Sequence, residues 1–256
     1  MGIFAGGKAA RASGGTVTTT VGPYTVHTFA TTGANTFTPA TTGFVDILLV
    51  GGGGGAGNGP NEAGGGGAGA TLFKKMIPVI ASTPYPISVG AGGPSGVSGT
   101  PTTFIYSGIT TTASGGGFGG PDGIPGAGAN VPTASGGGCG RYGPNATTFP
   151  SPGGTGAGVL GIGFPGGPSG PSPYSGGGGG GAGGAGGAGN PGPAAGGPGV
   201  PISYFTGISA DMASVGGAGY PNTISNVTSP FYGSGGTANN ISPHSGRQGV
   251  AYIRYI

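Results

Sequence analysis

Side chains able to do acid–base, nucleophilic or metal chemistry are few and scattered in this sequence. The carboxylates, imidazoles and thiol are Asp46, Glu62, Asp122, Asp211, His27, His244 and Cys139. General acid–base catalysis needs paired titratable groups in one pocket, and a metal site needs ligands at short, characteristic spacings. Neither pattern is present in the sequence, and a single cysteine cannot form an internal disulfide. The sequence therefore predicts no enzyme activity, no catalytic residue and no metal.

One catalytic arrangement still has to be considered, a triad of His27, Asp46 and a serine. No serine of the sequence lies in the G-x-S-x-G context that exposes a nucleophile at a strand-to-helix turn. Asp46 falls inside the strongest predicted strand, where a salt bridge or an outward-facing position accounts for it. The triad therefore has no support beyond the presence of its residue types.

A formal dinucleotide-binding pattern, G-x-G-x-x-G, is formed by Gly52, Gly54 and Gly57 directly after that strand. In a dinucleotide fold this turn opens a helix that holds the pyrophosphate, and an acidic residue follows about 20 residues later. Residues 58–67 are too rich in glycine to form that helix, and no acid lies near residue 77. We interpret the pattern as a chance match in a glycine-rich chain and predict no cofactor.

The amino-acid composition bears on disorder, nucleic-acid binding and membrane insertion. The chain has 72 glycines and 25 prolines among 256 residues, with only 4% charged residues and a net charge of +3. Disordered chains usually carry many charges, so this composition favours a packed structure over disorder. The cations form no patch beyond the adjacent Lys74 and Lys75, which predicts no nucleic-acid binding. No apolar run of about 18 residues is present, so no membrane insertion is predicted, and no secretion signal is visible at the amino terminus.

Glycine runs are the feature that most constrains the fold. The run 176–189 repeats every three residues and would place Ala182, Ala185 and Ala188 on one ridge of a helix with three residues per turn. Shorter glycine runs lie at 51–55, 64–67, 115–117 and 136–138. Glycine strongly disfavours an α-helix. We therefore predict left-handed, threefold polyglycine helices that bond to one another through their backbones.

Strand-like segments surround these runs, and they predict an all-β fold with almost no α-helix. Residues 24–29, 44–50, 71–77, 85–89 and 249–256 are rich in β-branched and aromatic residues. Residues 102–106 and 109–112 predict a hairpin around Ser107 and Gly108. The predicted organisation is an attachment arm at 1–22, a β-rich module at 23–113, a glycine-helix body with end loops at 114–248, and a closing strand at 249–256.

Aromatic residues accumulate where the glycine runs end. Tyrosine-, serine- and asparagine-rich loops are effective recognition surfaces. The candidate surface-recognition residues are Tyr142, Phe149, Tyr174, Tyr204, Phe205, Tyr220, Phe231 and Tyr232. The simpler explanation of the same aromatics, which we favour over recognition, is that they cap the glycine layer or fill subunit contacts. Phe4, Lys8 and Arg11 are the candidate docking residues of the arm, which we expect to become ordered when it docks. The alternative is that residues 1–22 are simply a frayed terminus.

The order of strands and glycine runs resembles the glycine-rich domain of phage tail fibres and other virion proteins. The phrases that carry the resemblance are residues 46–55, 70–73, 87–93, 115–117 and 249–255. The composition is also similar to the polyglycine-helix sandwich of T-even phage tail-fibre tip adhesins. The resemblance implies a location in the virion, a homotrimer, and contact with a host-surface glycan or outer-membrane protein. The chain differs from the adhesins in having no tryptophan.

These observations predict a non-enzymatic structural protein of a bacteriophage virion, either a fibre, a spike or a decoration protein. The arm would attach it to other virion proteins, and exposed backbone edges would pair in a homotrimer. An ice-binding glycine bundle is an alternative, suggested by the threonines at 18–20 and 110–112. An extracellular glycine-rich matrix or filament protein is another.

Overall fold

Twelve strands and one short helix form the regular structure of the residues that the computed structural model describes, which are 12–58, 63–121, 133–140, 154–158, 161–170, 176–189, 194–209, 211–219, 231–238 and 244–256. In chain order the elements are β1 (Ala12–Ser13), β2 (Val17–Val21), β3 (Tyr24–Phe29), β4 (Gly33–Pro39), β5 (Gly43–Val50), β6 (Thr71–Val79), β7 (Tyr85–Val89), β8 (Thr102–Tyr106), β9 (Ile109–Ala113), β10 (Val200–Pro201), α1 (Ser203–Thr206), β11 (Met212–Ala213) and β12 (Val250–Tyr255).

The strands form two five-stranded antiparallel sheets and one small ribbon. The first sheet has the order β2-β3-β12-β5-β6, the second has the order β1-β4-β7-β8-β9, and β10 pairs with β11. The predicted nearly all-β fold is confirmed for the described residues. The predicted hairpin is also confirmed, since β8 and β9 pair around Ser107 and Gly108. Both of these residues have positive φ, 47° and 73°, as a type I′ hairpin turn requires.

The main hydrophobic core lies between the two sheets. The first sheet contributes inward-facing residues such as Phe29, Ile47 and Ile253, and the second contributes Phe37 and Phe104. All five side chains are fully buried. Because side chains alternate along a strand, one face of each sheet contributes its side chains to this layer. The core is therefore that of a β-sandwich.

The opposite face of the first sheet is covered by the segment β10-α1-β11. Ile202 and Phe205 of this segment pack with Leu48, Val50 and Tyr252 of the sheet. Two covered faces explain why β5 is an almost continuous apolar run and why every residue of β12 is buried. The closing strand lies between β3 and β5, so it completes the sheet from within.

The glycine stretches form a body whose packing consists of backbone against backbone. Residues 51–57 are buried and belong to no strand or helix. Its N–H groups donate to three neighbouring segments in rotation, so residues three apart donate to the same segment. Residues 51, 54 and 57 donate to segment 64–70, residues 52 and 55 to segment 97–100, and residues 53 and 56 to segment 244–247. Its carbonyls accept from other stretches, as when the Gly116 N–H donates to the Gly52 carbonyl over 2.9 Å.

The next stretch, 64–70, repeats this pattern. Its N–H groups donate in turn to 114–120, 177–180 and 233–236. A methyl group added to a glycine of the body would meet a carbonyl oxygen at about 2 Å, for example 2.0 Å from the Ala91 oxygen at Gly52 and 2.2 Å from the Gly117 oxygen at Gly54. Real side chains do not approach backbone so closely. The body therefore needs glycine for close approach of chains.

The prediction of one alanine ridge along the run 176–189 is wrong. The run turns back at 182–184, because the Gly178 N–H donates to the Gly187 carbonyl over 3.0 Å and the Gly181 N–H to the Gly184 carbonyl over 2.9 Å. Ala182 is buried, whereas Ala185 and Ala188 are exposed. The three alanines lie on two arms of a reversal because those arms bond to each other.

The predicted arm at 1–22 and the predicted body at 114–248 both contribute to the sheets. Within the described residues, β1 and β2 of the arm pair with β4 and β3, respectively. The segment β10-α1-β11 from the body covers the first sheet. Residues 1–11 lie outside the described residues. No helix in the described ranges has both the length and the apolar character needed to cross a bilayer.

Candidate recognition surface

His27 and Asp46 lie on opposite faces of the first sheet. The His27 ring is buried beside Phe37 and Tyr255 on the core side. Its Nδ1 lies 2.7 Å from the Gly14 carbonyl and its Nε2 lies 2.9 Å from the Tyr255 hydroxyl. Because a carbonyl only accepts, Nδ1 donates, and in the neutral ring Nε2 accepts the hydroxyl proton. The geometry gives His27 a structural role and separates it from Asp46.

The Asp46 carboxylate accepts a hydrogen bond at a bulge in the sheet and also forms an ion pair. β6 contains an extra residue between the pairs Val45–Ile77 and Ile47–Lys74, and Met76 there has φ of 56°. The Asp46 Oδ1 accepts the Met76 N–H over 3.1 Å, which satisfies a donor freed by this bulge. Its Oδ2 lies 3.1 Å from Arg254 Nη2. The salt bridge considered from the sequence is confirmed.

Arg254 ties the closing strand to the covering segment. Its guanidinium donates to the Tyr204 carbonyl over 3.1 Å and lies 4.4 Å from the ring centres of both Tyr24 and Phe205. A guanidinium held by a carboxylate and placed between two rings combines charge-assisted hydrogen bonds with cation–π attraction. This cluster is structural, since its charged groups already bind each other.

The other chemistry-bearing residues that the structure describes form no metal-ligand cluster. The Asp211 Oδ2 accepts the Thr206 hydroxyl over 2.8 Å, and the buried Cys139 thiol donates to the Gly140 carbonyl over 2.9 Å. No group of three or more metal-ligating side chains occurs among the described residues. Glu62 and Asp122 lie outside them. The glycines of the G-x-G-x-x-G pattern pack on other backbone, so they leave no cradle for a phosphate.

The predicted recognition residues separate into exposed and buried ones. Tyr204 is 54% exposed, and Phe231 and Tyr232 are half-buried. Phe205 is fully buried against the first sheet, so its prediction as a surface residue is wrong. It points inward because α1 lies flat on the sheet and successive helical residues face different sides. The candidates outside the described residues are Tyr142, Phe149, Tyr174, Tyr220, Phe4, Lys8 and Arg11.

Tyr232 stands between two surface grooves. The first, which we call the β2 groove, has a volume of about 610 Å³ and is lined by Val17, Thr19, Val26, Ile208, Tyr232 and Tyr252 among others. The second, the Arg247 groove, has a volume of about 530 Å³ and is lined by Thr32, Phe231, Tyr232, Arg247 and Gln248 among others. Hydroxyl and aliphatic groups alternate in the first, whereas the second is more polar.

The order of strands and glycine stretches extends over most of the chain, and so does its match to a family model. Residues 28–256 match the model of a glycine-rich domain. The chain belongs to this glycine-rich domain family. No curated protein matches the chain.

Two properties of the glycine-rich domain's surface could not be read from its sequence. Burial raises the pKa of the Tyr252 hydroxyl well above its ordinary value, and the nearby Asp211 and Tyr232 raise it further. The Tyr252 hydroxyl, at the floor of the β2 groove, therefore stays protonated at a higher pH than an exposed tyrosine does. The groove itself combines β2, β3, β12 and the end of α1, which are far apart in the sequence, so no local pattern indicated it.

The two threonine runs that suggested an ice-binding ridge lie at separate places on the domain. Residues 18–20 belong to β2, at the edge of the first sheet, and residues 110–112 belong to β9, at the edge of the second. The runs thus do not join into one regular array.

Proposed function

We propose that this glycine-rich domain is a non-enzymatic structural protein of a bacteriophage virion, as a fibre, spike or decoration protein. The observation that carries the proposal is the glycine body, in which each stretch bonds through its backbone to several neighbours. Such a body is satisfied internally and offers no side chains for chemistry. It suits a rigid scaffold that displays loops at its ends.

We further propose that the glycine stretches are polyglycine helices of the left-handed threefold type. The support is the repeat of hydrogen-bond partners at every third residue in 51–57 and 64–70. None of the glycines in 51–57 has a positive φ, which agrees with the φ of about −75° of this helix type. A helix with three residues per turn presents its N–H groups in three directions, which permits lateral bonding to several neighbours at once.

Contact with the host surface is a second task of this proposal. Tyr204 and Tyr232 offer flat rings with hydroxyls, and Tyr232 and Phe231 border the Arg247 groove. Aromatic rings with adaptable polar neighbours suit a surface glycan or an outer-membrane protein. A homotrimer, attached to other virion proteins by the amino-terminal residues and released on host lysis, completes the proposed role.

Purified particles of a phage that encodes this chain test the virion role. Mass spectrometry should find the chain in density-purified particles, and antibodies to the recombinant protein should label one structure in electron micrographs. Uninfected host lysate, carried through the same purification, is the control. The role is refuted if the chain is abundant in the lysate but lost from particles that remain infectious.

Binding to host cells tests the recognition task separately. The purified protein should be retained on host cells in a pull-down, and Tyr204→Ala and Tyr232→Ala should lower retention. Ile109→Ala changes an exposed residue of β9 and serves as the matched control. Equal retention of all three variants would remove recognition from the proposal and leave the scaffold role standing.

A further inference from the structure

The two edges of the first sheet differ in how they are protected against further strand pairing. The β6 edge carries Lys74, Lys75, a bulge at Met76 and Pro78, which are the usual devices that prevent edge-to-edge association. The β2 edge has none of them. Its sequence, Val-Thr-Thr-Thr-Val, is uncharged and regular, its first four residues are exposed, and no strand among the described residues pairs with its outer side.

The outer side of β2 presents backbone groups at defined positions. β2 and β3 are joined by the two-residue loop Gly22–Pro23, which makes Val21 and Tyr24 the closing hydrogen-bonded pair. Because hydrogen bonding alternates along an antiparallel strand, Thr18 and Thr20 direct their N–H and C=O groups away from β3. These two residues are the ones a new strand would bond to.

We propose that β2 pairs antiparallel with β2 of a second copy of this chain, in a register centred on Thr19. The sequence of β2 reads the same in both directions, so this register is self-complementary, as a twofold interface requires. Thr18 then forms a hydrogen-bonded pair with Thr20 of the partner subunit. Val17, which is 52% exposed, packs beside the partner's Val21. The first sheet becomes continuous across both copies.

Charge and sequence symmetry select a second copy over other occupants. Identical strands that pair bring identical charges together, so a self-pairing edge must be neutral, as β2 is. Opposed threonines and valines on a strand pair are also favourable contacts. β9, an uncharged edge strand of the same length, lacks this symmetry, because the same pairing would set Ile109 against Ala113. A twofold contact joins two copies and cannot by itself build a trimer. If the protein is a homotrimer through another surface, this contact would join two trimers.

Disulfide trapping of Thr19→Cys tests the register. In a non-hydrogen-bonded pair the two Cα atoms lie about 4.5 Å apart, which a disulfide can bridge. Thr18→Cys on the same strand is the register control, since the two copies of residue 18 would lie roughly 8 Å apart. Thr112→Cys on β9 is exposed and controls for random collision. The wild-type chain, whose single cysteine is buried, gives the background.

After oxidation with diamide, Thr19→Cys should form a covalent dimer at least about tenfold faster than either control variant, given the reach of a disulfide. The mass from sedimentation at several protein concentrations should correspond to an even number of wild-type subunits. Thr19→Lys should halve that mass, because the two lysines would face each other across the pair. Equal rates for the three cysteine variants would overturn the register. A mass that is unchanged by Thr19→Lys would overturn the interface. Both results are independent of whether the chain is found in virions.

Discussion

Substitution of alanine for glycine should destabilise the protein in proportion to how closely other backbone approaches the substituted position. Gly66, in the glycine body, has the Gly54 carbonyl oxygen 2.1 Å from the position of an added methyl group. Gly187 has its nearest neighbour, the Ala195 oxygen, at 3.1 Å. Gly43, at the start of β5, has nothing within 4 Å. None of these glycines has a positive φ, so the series isolates crowding from backbone strain.

The magnitude follows from what must move. At Gly66 the methyl group is more than about 1 Å short of ordinary contact with backbone that cannot rotate away. Overpacking costs about 1–3 kcal/mol. Displacing Gly54 also disturbs its buried hydrogen bonds to Gly67 and Gly236, at about 1–3 kcal/mol each. We therefore expect Gly66→Ala to lower the free energy of unfolding by roughly 3–9 kcal/mol, out of a total of about 5–15 kcal/mol.

Thermal and urea unfolding of the three variants provide the measurement. Gly66→Ala should lower Tm by roughly 10 °C or more, or prevent folding, given about 2–4 °C per kcal/mol for a chain of this size. Gly187→Ala should cost about 1 kcal/mol, because a few tenths of an ångström of relaxation suffice. Gly43→Ala should be neutral or slightly stabilising, since alanine restricts the unfolded chain. A Gly66→Ala protein as stable as Gly43→Ala would refute backbone-on-backbone packing.

Three further predictions concern the β-sandwich. Burial raises the Tyr252 pKa in the folded state, so the stability that this hydroxyl contributes is complete below about pH 10 and is lost as the pH rises further, at up to about 1.4 kcal/mol per pH unit. Between pH 9 and 12, Tyr252→Phe should reduce the slope of the urea-unfolding free energy against pH. An unchanged slope would contradict this. Asp46→Asn should cost about 2–4 kcal/mol in urea unfolding because it leaves Arg254 without its counter-ion, and a loss below about 0.5 kcal/mol would show that the pair is screened. Tyr255→Phe removes the hydroxyl that contacts His27 and should lower the unfolding free energy by about 1–3 kcal/mol, which a thermal melt near that of the wild type would contradict.

The strands were predictable because their signals are local. Alternating β-branched and aromatic residues specified β3 and the hairpin of β8 and β9, and the apolar run of β5 indicated the strongest strand of the sequence. The absence of long α-helices from the residues that the structure describes followed in the same way, since glycine and proline oppose such helices. The need for glycine in the body was also evident, because a three-residue repeat has meaning only if chains pack closely.

The arrangement of those elements was not predictable, because the groups that satisfy each other are far apart in the chain. The Gly53 N–H donates to the Arg247 carbonyl, and no local pattern links the two stretches. The reversal at 182–184 escaped prediction for the same reason, since a uniform glycine run contains no signal for where it turns.

The sequence by itself determined that this protein is built from β-strands and closely packed glycine stretches, because side-chain shape and backbone freedom act residue by residue. Only the tertiary structure decided that His27 and Asp46 face opposite sides of a sheet, that Phe205 is buried, and that Tyr232 separates two grooves. Those outcomes depend on which strand lies beside which. Strand order is fixed by the whole set of sheet and glycine-body hydrogen bonds at once, and by no single segment.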